Sequence, residues 1–209
     1  MVAFWMSVGL LGAAYLLGAI PAGYLAGRGL RSIDIRQHGS KSTGATNALR
    51  VLGAWPALLV LLVDLLKGGA AVGLVLWLWP LVVPDQPALL PWIVCLAGLA
   101  ALFGHARSIW LHFSGGKSVA TGLGVVLALS WPVGLGALVV FAVTLAISRI
   151  VSLSSLSGAL TAIVLAIALD LPLPYRLLVI AGGIYVIVRH RANIGRLLAG
   201  TEPRLGQQG

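Results

Sequence analysis

Two short glycine-rich segments of this 209-residue chain combine the residue types that bind phosphate. In the first, residues 38–50, small residues let backbone N–H groups approach an anion, hydroxyl and amide groups donate hydrogen bonds, and bases supply positive charge. A solvated loop between two helices would have much the same composition, so composition leaves both interpretations open. The candidate ligands in this segment are Gly39, Ser40, Gly44, Thr46, Asn47 and Arg50.

The second segment, residues 114–121, contains a Gly-Gly-Lys-Ser sequence that resembles a nucleotide-binding P-loop. The P-loop pattern requires a glycine five residues before Gly116, where this chain has Leu111, and no strand is predicted before it. We therefore do not expect ATP or GTP binding. Two glycines and a lysine before a helix still predict a phosphate site, and a flexible turn with a snorkelling lysine is the alternative. The candidate ligands here are Gly115, Gly116, Lys117, Ser118 and Thr121.

Polar residues in or beside apolar stretches are further candidates. Asp64 and Lys67 lie on neighbouring positions of one predicted helix, which is consistent with an ion pair or with a polar cavity in the membrane. His105 and His190 lie at predicted interfaces, where each could bind phosphate, transfer a proton or only anchor a helix. The remaining candidates are Ser152, Ser155 and Asn193.

Residues for several common catalytic designs are missing. Metal-assisted phosphoryl chemistry uses several convergent carboxylates, and the predicted inner side offers mainly Asp34, Asp64 and Glu202. The single Cys95 excludes a disulfide or a cysteine-based zinc site within one chain. No histidine is followed five positions later by aspartate, the arrangement of acyltransferases that activate a hydroxyl with a His–Asp pair. We predict no metal and no cofactor.

The composition places these candidates in a membrane protein. Hydrophobic residues make up 59% of the chain, charged residues only 9%, and the mean hydropathy is +1.03. A soluble domain carries about 25% charged residues, so lipid must be the solvent here. The net charge of +9 is spread between apolar segments, which favours anionic lipid and phosphorylated substrates over nucleic acid. We predict an all-α polytopic helical bundle that forms one domain over residues 1–209.

About seven transmembrane helices are predicted from the apolar stretches. The first has no basic residue before it and is too long for a signal-peptide core, so we expect it to be retained. The fourth is short and follows two glycines, so a half-helix or re-entrant segment is the alternative to a full span. The predicted spans are 4–27, 54–80, 88–105, 118–131, 133–148, 153–170 and 174–190.

The basic residues predict the orientation of the chain. With the amino terminus outside, every Lys and Arg except Lys67 and Arg176 falls on one side of the membrane. Basic residues concentrate in cytosolic loops, so that side and the carboxyl terminus are predicted to be cytosolic. We therefore expect a bacterial inner-membrane protein whose functional residues face the cytosol.

Taken together, the polar segments resemble the bacterial acyl-phosphate-dependent glycerol-3-phosphate acyltransferases, the PlsY family. The resemblance extends from Tyr15 to Glu202, nearly the whole chain. Any one of its motifs is a weak indication, but five in order at matching span boundaries are strong. The motifs are Gly39-Ser40 with Gly44-Ala45-Thr46-Asn47, Asp64-Leu65-Leu66-Lys67-Gly68, Gly104-His105, Gly115-Gly116-Lys117 with Val119-Ala120-Thr121, and Arg189-His190-Arg191 with Asn193-Ile194.

The resemblance implies transfer of a fatty acyl group from acyl phosphate to glycerol 3-phosphate, giving lysophosphatidic acid and inorganic phosphate. It implies a substrate-assisted mechanism and a functional link to a soluble enzyme that makes acyl phosphate. It assigns polar-head binding to Ser40, Arg50, Lys117, His190 and Asn193, phosphate loops to Thr46, Asn47, Gly115, Gly116 and Ser118, and a site-lining role to Ser155. Of these we take Ser40, Lys117, His190 and Asn193 as catalytic.

Two departures from the family pattern and two other functions remain open. Lys41-Ser42 stands where Gly-Asn is common, and Ala192 stands where Glu is common, so no role of a glutamate there can be transferred. A small permease for an organic phosphate could use the same basic pockets, although no inverted repeat is visible. A membrane scaffold without catalytic activity would tolerate alanine at both glycine-rich segments.

Overall fold

The computed structural model describes residues 1–206, and its regular elements are helices. Within that range the extended backbone pairs only at an isolated bridge between Ser108 and Ser114. The predicted all-α membrane fold is therefore confirmed. The helices are α1 Val2–Ala19, α2 Ala22–Arg31, α3 Ala45–Leu52, α4 Ala54–Val82, α5 Leu90–Ala106, α6 Val119–Leu129, α7 Trp131–Ser148, α8 Val151–Ala168, α9 Leu173–Arg189 and α10 Arg191–Leu198.

The predicted spans all contain a helix, but fewer are long enough to cross a bilayer than the seven expected. Five helical segments have the required length and apolar composition, and α9 with α10 makes a sixth if that pair, bent by 60°, is one span. The predicted fourth span is the 11-residue α6. At about 1.5 Å per residue this helix is roughly 16 Å long, against a hydrocarbon core of about 30 Å.

Proline and glycine set most of the helix boundaries. Pro21 separates α1 from α2, and prolines lie in the first turns of α5, α7 and α9, where a missing N–H costs nothing. Gly53, with a φ of 98°, separates α3 from α4. In lipid an unbroken helix makes all the hydrogen bonds of its own backbone. Each break therefore leaves carbonyl and N–H groups without helical partners at one place.

The helices pack through small residues. The main core lies between α1, α4 and α5 around Ala14, Val72, Trp79 and Val94. On the other side of α4, Gly124 of α6 approaches so closely that a Cβ there would lie 1.9 Å from the Leu65 carbonyl oxygen. Close backbone approach through glycine is the usual way in which membrane helices associate. It places the start of α6 against the middle of α4.

The interhelical loops that follow α2, α5 and α9 meet at one end of the bundle. Tyr15 of α1 donates a hydrogen bond from its hydroxyl to the Arg107 carbonyl at 2.9 Å. Arg36, after α2, donates to Ser114 Oγ at 2.9 Å, and Leu205 N–H donates to the Arg149 carbonyl at 2.7 Å. The sequence segments predicted to bind phosphate therefore share one end of the molecule.

Candidate active site

Lys117 connects the second glycine-rich segment to the carboxyl-terminal helices. Its Nζ donates a hydrogen bond to Asn193 Oδ1, near the start of α10. The side chain is half-buried, and this burial, together with the positive charge of three nearby arginines, lowers the pKa of Lys117 to about 8. The negative charge of Glu202 opposes this shift. At neutral pH the amine is still largely protonated, so it can bind a phosphate.

Glu202, from the carboxyl-terminal tail, holds Asn193 in place. Its Oε1 accepts hydrogen bonds from Asn193 Nδ2 and from Ser152 Oγ, and its Oε2 accepts one from Arg196 Nε at 2.7 Å. Burial alone would raise the pKa of Glu202, but the hydrogen bonds from these three side chains outweigh it and keep the pKa below its usual value. Glu202 is therefore an ionised anchor within a basic site.

The carboxyl-terminal end of α9 lies next to the segment that carries Lys117. His190 is buried, and its Nδ1 lies 2.8 Å from the Val186 carbonyl oxygen. Because a carbonyl can only accept, Nδ1 carries the proton and Nε2 of the neutral ring is left as an acceptor. Arg189 donates from Nη2 to the Gly116 carbonyl at 3.0 Å. These contacts bring together His190, Lys117 and Asn193, three of the residues to which the family resemblance assigns polar-head binding.

The two glycines before Lys117 are required by close packing on α5. The Gly116 N–H donates to the His105 carbonyl at 3.2 Å, so this amide is already used within the protein. A Cβ at Gly115 would lie 2.2 Å from the His105 carbonyl oxygen, and a Cβ at Gly116 would lie 2.1 Å from His105 Nε2. The glycines thus let the loop lie directly on His105.

Asn47 organises the first glycine-rich segment. Its Oδ1 accepts from the Ser40 N–H at 2.8 Å, and its Nδ2 donates to the carbonyls of Ile35, His38 and Ser42. Asn47 is buried, whereas Ser40 lies exposed on the surface of the loop. Asn47 therefore shapes the loop from beneath, and the loop presents Ser40.

Backbone conformation explains one departure from the family pattern in this loop. Lys41 has a φ of 58°, in the left-handed region that glycine adopts without strain. Gly39 has a φ of 56° as well, and a Cβ there would lie 2.4 Å from Asn47 Oδ1. The Ser42 hydroxyl accepts a hydrogen bond from the Gly44 N–H at 3.4 Å. A loop of this shape tolerates Lys41 and Ser42, although Lys41 has a less favourable backbone than glycine would.

Arg36 joins the two glycine-rich segments. Besides Ser114 Oγ, its guanidinium contacts Asp34, whose Oδ2 lies 2.7 Å from Nη2. The hydrogen bond from the Arg36 side chain lowers the pKa of the Asp34 carboxyl despite the opposing effect of burial. Arg50 is an exposed residue of α3, and it lies close enough to lower the pKa of Lys117. Both segments therefore contribute positive charge to one surface.

Lys67 and His105 lie in a buried cluster with Asp64 beneath these loops. Lys67 Nζ is 2.8 Å from Asp64 Oδ1 and donates to the Ile20 carbonyl at 2.8 Å. His105 Nδ1 lies 3.4 Å from the same carboxylate oxygen. The ion pair considered from the sequence is confirmed, and it includes a His–Asp contact that the sequence spacing did not reveal.

Four other predicted ligands are directed into the protein. Ser118 Oγ donates to the Leu102 carbonyl and Ser155 Oγ to the Val151 carbonyl, each at 2.8 Å. Thr121 Oγ1 is buried and has no hydrogen-bond partner among residues 1–206. Ser152, as described, is bound to Glu202. Ser118, Ser152 and Ser155 therefore make their hydrogen bonds within the protein.

An apolar cleft opens between α5, α6, α7, α8 and α9 next to this polar cluster. Its volume is about 690 Å³, which includes space at its open side. Val119, two residues after Lys117, lines it, as does Val186, whose carbonyl binds His190. Other lining residues include Val126, Phe141, Ser155 and Leu178. The polar cluster therefore lies beside one part of a cleft that can receive a hydrocarbon chain.

Comparison with known proteins identifies the family. The profile described as Glycerol-3-phosphate acyltransferase matches residues 8–200. The chain belongs to the glycerol-3-phosphate acyltransferase family. It is 64% identical to glycerol-3-phosphate acyltransferase 2 of Rhizobium johnstonii, with 98% of each chain covered, and 56% identical to a glycerol-3-phosphate acyltransferase of Acaryochloris marina, with 95% of this chain and 92% of that relative covered.

Solved structures of glycerol-3-phosphate acyltransferases share this fold. The glycerol 3-phosphate form of PlsY (YgiH), an integral membrane glycerol 3-phosphate acyltransferase, superposes with a TM-score of 0.86 at 35% identity and 96% coverage of both chains. Its lysophosphatidic acid form superposes with a TM-score of 0.84 at 34% identity. The predicted membership of the PlsY family is thereby confirmed.

The sequence did not single out three residues of this candidate site. Glu202 stands in a basic tail, and its isolation as a carboxylate there is the feature that could have indicated it. Arg189 was named only as part of a family motif and Arg196 counted only among the cytosolic basic residues, yet Arg189 binds the Gly116 carbonyl and Arg196 binds Glu202. Among residues 1–206 no group of three or more His, Cys, Asp or Glu side chains is arranged to hold a metal ion.

Proposed function

We propose that this glycerol-3-phosphate acyltransferase takes its acyl group from acyl phosphate and transfers it to the 1-hydroxyl of glycerol 3-phosphate. The products are lysophosphatidic acid and inorganic phosphate. The observation that carries this proposal is the position of Lys117, a cation next to an apolar cleft that fits an acyl chain. An acyl phosphate matches that arrangement, because its hydrocarbon chain and its phosphate are joined through a single acyl carbon and one bridging oxygen.

The chemistry needs little from the protein beyond binding and charge. The 1-hydroxyl oxygen attacks the acyl carbon, the bond from that carbon to the bridging phosphate oxygen breaks, and phosphate leaves with the electron pair. The hydroxyl proton passes to the phosphate of glycerol 3-phosphate itself, as in a substrate-assisted reaction. Acyl phosphate is already activated, so positioning and stabilisation of the leaving phosphate supply most of the acceleration.

The residues divide these tasks between them. Lys117 binds the leaving phosphate, and Asn193 and Glu202 hold its amine in place. His190, with Nε2 unprotonated, accepts a hydrogen bond from the acceptor hydroxyl or from a protonated phosphate. Ser40, Thr46 and Arg50 bind the glycerol 3-phosphate head group from the first glycine-rich segment. The acyl chain lies in the cleft beside Ser155.

The cellular setting follows from the charge distribution. Basic residues fall almost entirely at the site end of the bundle, so we place the site at the cytosolic face of a bacterial inner membrane, with the amino terminus outside. Glycerol 3-phosphate then reaches the site from water and acyl phosphate from the membrane surface. A soluble enzyme that makes acyl phosphate would supply the donor.

A product assay tests the proposed donor. Purified protein in lipid nanodiscs is given glycerol 3-phosphate with either palmitoyl phosphate or palmitoyl-CoA, in the presence of a metal chelator. We expect lysophosphatidic acid and an equal amount of inorganic phosphate from the first mixture and no product from the second. Product from palmitoyl-CoA alone would contradict the proposal and indicate a different acyl donor.

The pH dependence of the reaction tests the charge on Lys117. Because its pKa is lowered to about 8, Lys117 is charged below that pH and neutral above it. The substrate phosphates, with a second pKa of about 6, are fully ionised throughout this range. We expect kcat/KM to fall as the pH rises through about 8, and the fall to move to higher pH in Lys117→Arg. Identical alkaline limbs in both proteins would contradict a charged Lys117 as the ligand.

A further inference from the structure

The buried cluster of Asp64, Lys67 and His105 forms a continuous polar connection below the site. It starts at the Ile20 carbonyl, in the break between α1 and α2, where Lys67 donates a hydrogen bond. It continues from Lys67 through Asp64 Oδ1 to His105 Nδ1. The three side chains are between 3% and 5% exposed, so their charges are shielded from water.

His105 ends this connection at the loop that carries Lys117. Its carbonyl accepts the Gly116 N–H, and its Nε2 points at the space where Gly116 lacks a Cβ. The backbone of Gly116 is not in the left-handed region, so an alanine there would be opposed by the imidazole and not by its own φ. Gly116, the residue before Lys117, thus lies directly against Nε2 of the imidazole.

We propose that Asp64, Lys67 and His105 are positioning residues, which fix the Gly115–Gly116 loop so that Lys117 meets the leaving phosphate. This role rests on the proposed function of Lys117 and replaces direct substrate binding by Lys67 and His105. The ion pair with Lys67 fixes Asp64, and Asp64 orients the imidazole of His105. The imidazole in turn determines how closely the Gly116 backbone approaches α5. A displacement of about 1 Å in such a loop can lower a rate about 100-fold.

The positioning role follows from the geometry better than a role as catalytic base does. A general base must reach the hydroxyl proton within hydrogen-bond distance. His105 is buried and its Nε2 faces the Gly116 backbone. Lys67 is held by Asp64 and by the Ile20 carbonyl, whereas His105 Nδ1 has only its 3.4 Å contact with Asp64 Oδ1, so the orientation of the imidazole depends on that carboxylate. The cost of burying the charges is offset only if the pair and its hydrogen bonds stay formed.

Steric coupling between His105 and Gly116 provides the test. Wild type, His105→Ala, Gly116→Ala and the double variant are compared for kcat and KM of both substrates and for melting temperature. Gly116→Ala should lower kcat/KM about 100-fold and His105→Ala about tenfold, mostly in kcat. In the double variant the methyl group occupies space left by the ring, so its kcat/KM should exceed that of Gly116→Ala about tenfold, and its melting temperature should also recover.

Several outcomes would overturn the proposal. One is a double variant whose loss equals the product of the two single losses, or which is as poorly folded as Gly116→Ala. Another is a His105→Ala loss above about 1,000-fold with the acid limb of the pH profile removed, since that would make His105 a catalytic base. A rise in KM for one substrate alone, with kcat unchanged, would show direct binding.

Controls separate this test from the proposed function. His112→Asn changes an exposed histidine on the same loop and should leave both kcat/KM and the melting temperature unchanged. Wild-type protein that forms no lysophosphatidic acid would refute the proposed reaction. The recovery of the melting temperature in the double variant would still report the contact between His105 and Gly116, and its absence would refute the contact.

Discussion

Replacing Lys117 by alanine is expected to lower kcat/KM for lysophosphatidic acid formation by about 1,000-fold. The amine is held by Asn193 beside the apolar cleft, and no other lysine among residues 1–206 lies on that loop. An oriented charged donor to a developing phosphate anion contributes a few kcal/mol, and about 1.4 kcal/mol corresponds to a factor of ten. The measurement is the initial rate with palmitoyl phosphate and glycerol 3-phosphate.

Two variants control the Lys117 experiment. Lys117→Arg keeps the charge but places it differently, so we expect an intermediate loss. Arg176→Ala removes a positive charge at the opposite end of the bundle, where Arg176 pairs with Asp170, and should leave the rate unchanged. A Lys117→Ala protein that retains more than about a tenth of the wild-type rate would remove Lys117 from the site.

Replacing Glu202 by alanine is expected to lower both activity and stability. The change leaves Asn193, Ser152 and Arg196 without the acceptor that they share. A buried donor left unpaired costs about 1–3 kcal/mol, and the loss of the anchor also frees Asn193 and with it Lys117. We expect kcat/KM to fall about 100-fold and the melting temperature to fall by several degrees, measured by product formation and by thermal unfolding.

The charge of Glu202 can be tested separately with glutamine. Glu202→Gln keeps the size and one carbonyl acceptor, so its activity should lie between wild type and Glu202→Ala. The folded pKa of Glu202 lies below its usual value, so its charge stabilises the fold above that usual value. This stabilisation is lost as the pH falls through the folded pKa, and the two proteins should then converge in stability.

A matched control is available for the carboxylate as well. Asp85→Ala removes an exposed carboxylate from the loop at the other end of the bundle and should change neither rate nor stability. If Glu202→Ala unfolds no earlier than Asp85→Ala and retains full activity, the contacts of Glu202 would have no role in holding the site.

Composition predicted the fold class, because lipid restricts a membrane-spanning chain of this kind to helices. Motif order predicted the family, because five different motifs occur in the family's order at the span boundaries. The short α6 was also foreseen as an alternative, since Gly115 and Gly116 precede it. The exact number of full spans was not, because apolar composition does not show where a helix is broken or bent. The 60° bend between α9 and α10 at His190 is an example.

The contacts within the site were harder to predict because they join distant parts of the chain. Glu202 lies nine residues from Asn193 but fifty from Ser152, and neither spacing follows a helical period. The contact between Asp64 and His105 likewise depends on how α4 packs on α5. The structure brings Lys117 and Asn193 into contact, and it shows that the N–H of Gly116, which the sequence suggested as an anion ligand, binds the His105 carbonyl.

A structure with both substrate groups bound tests the central claim most directly. The protein would be crystallised, or imaged by cryo-electron microscopy, with glycerol 3-phosphate and a non-hydrolysable palmitoyl phosphonate. We predict the phosphonate within about 3 Å of Lys117 Nζ and the hydrocarbon chain between Val126 and Leu178 in the apolar cleft. A phosphonate bound away from Lys117, or a chain lying outside the cleft, would contradict this account.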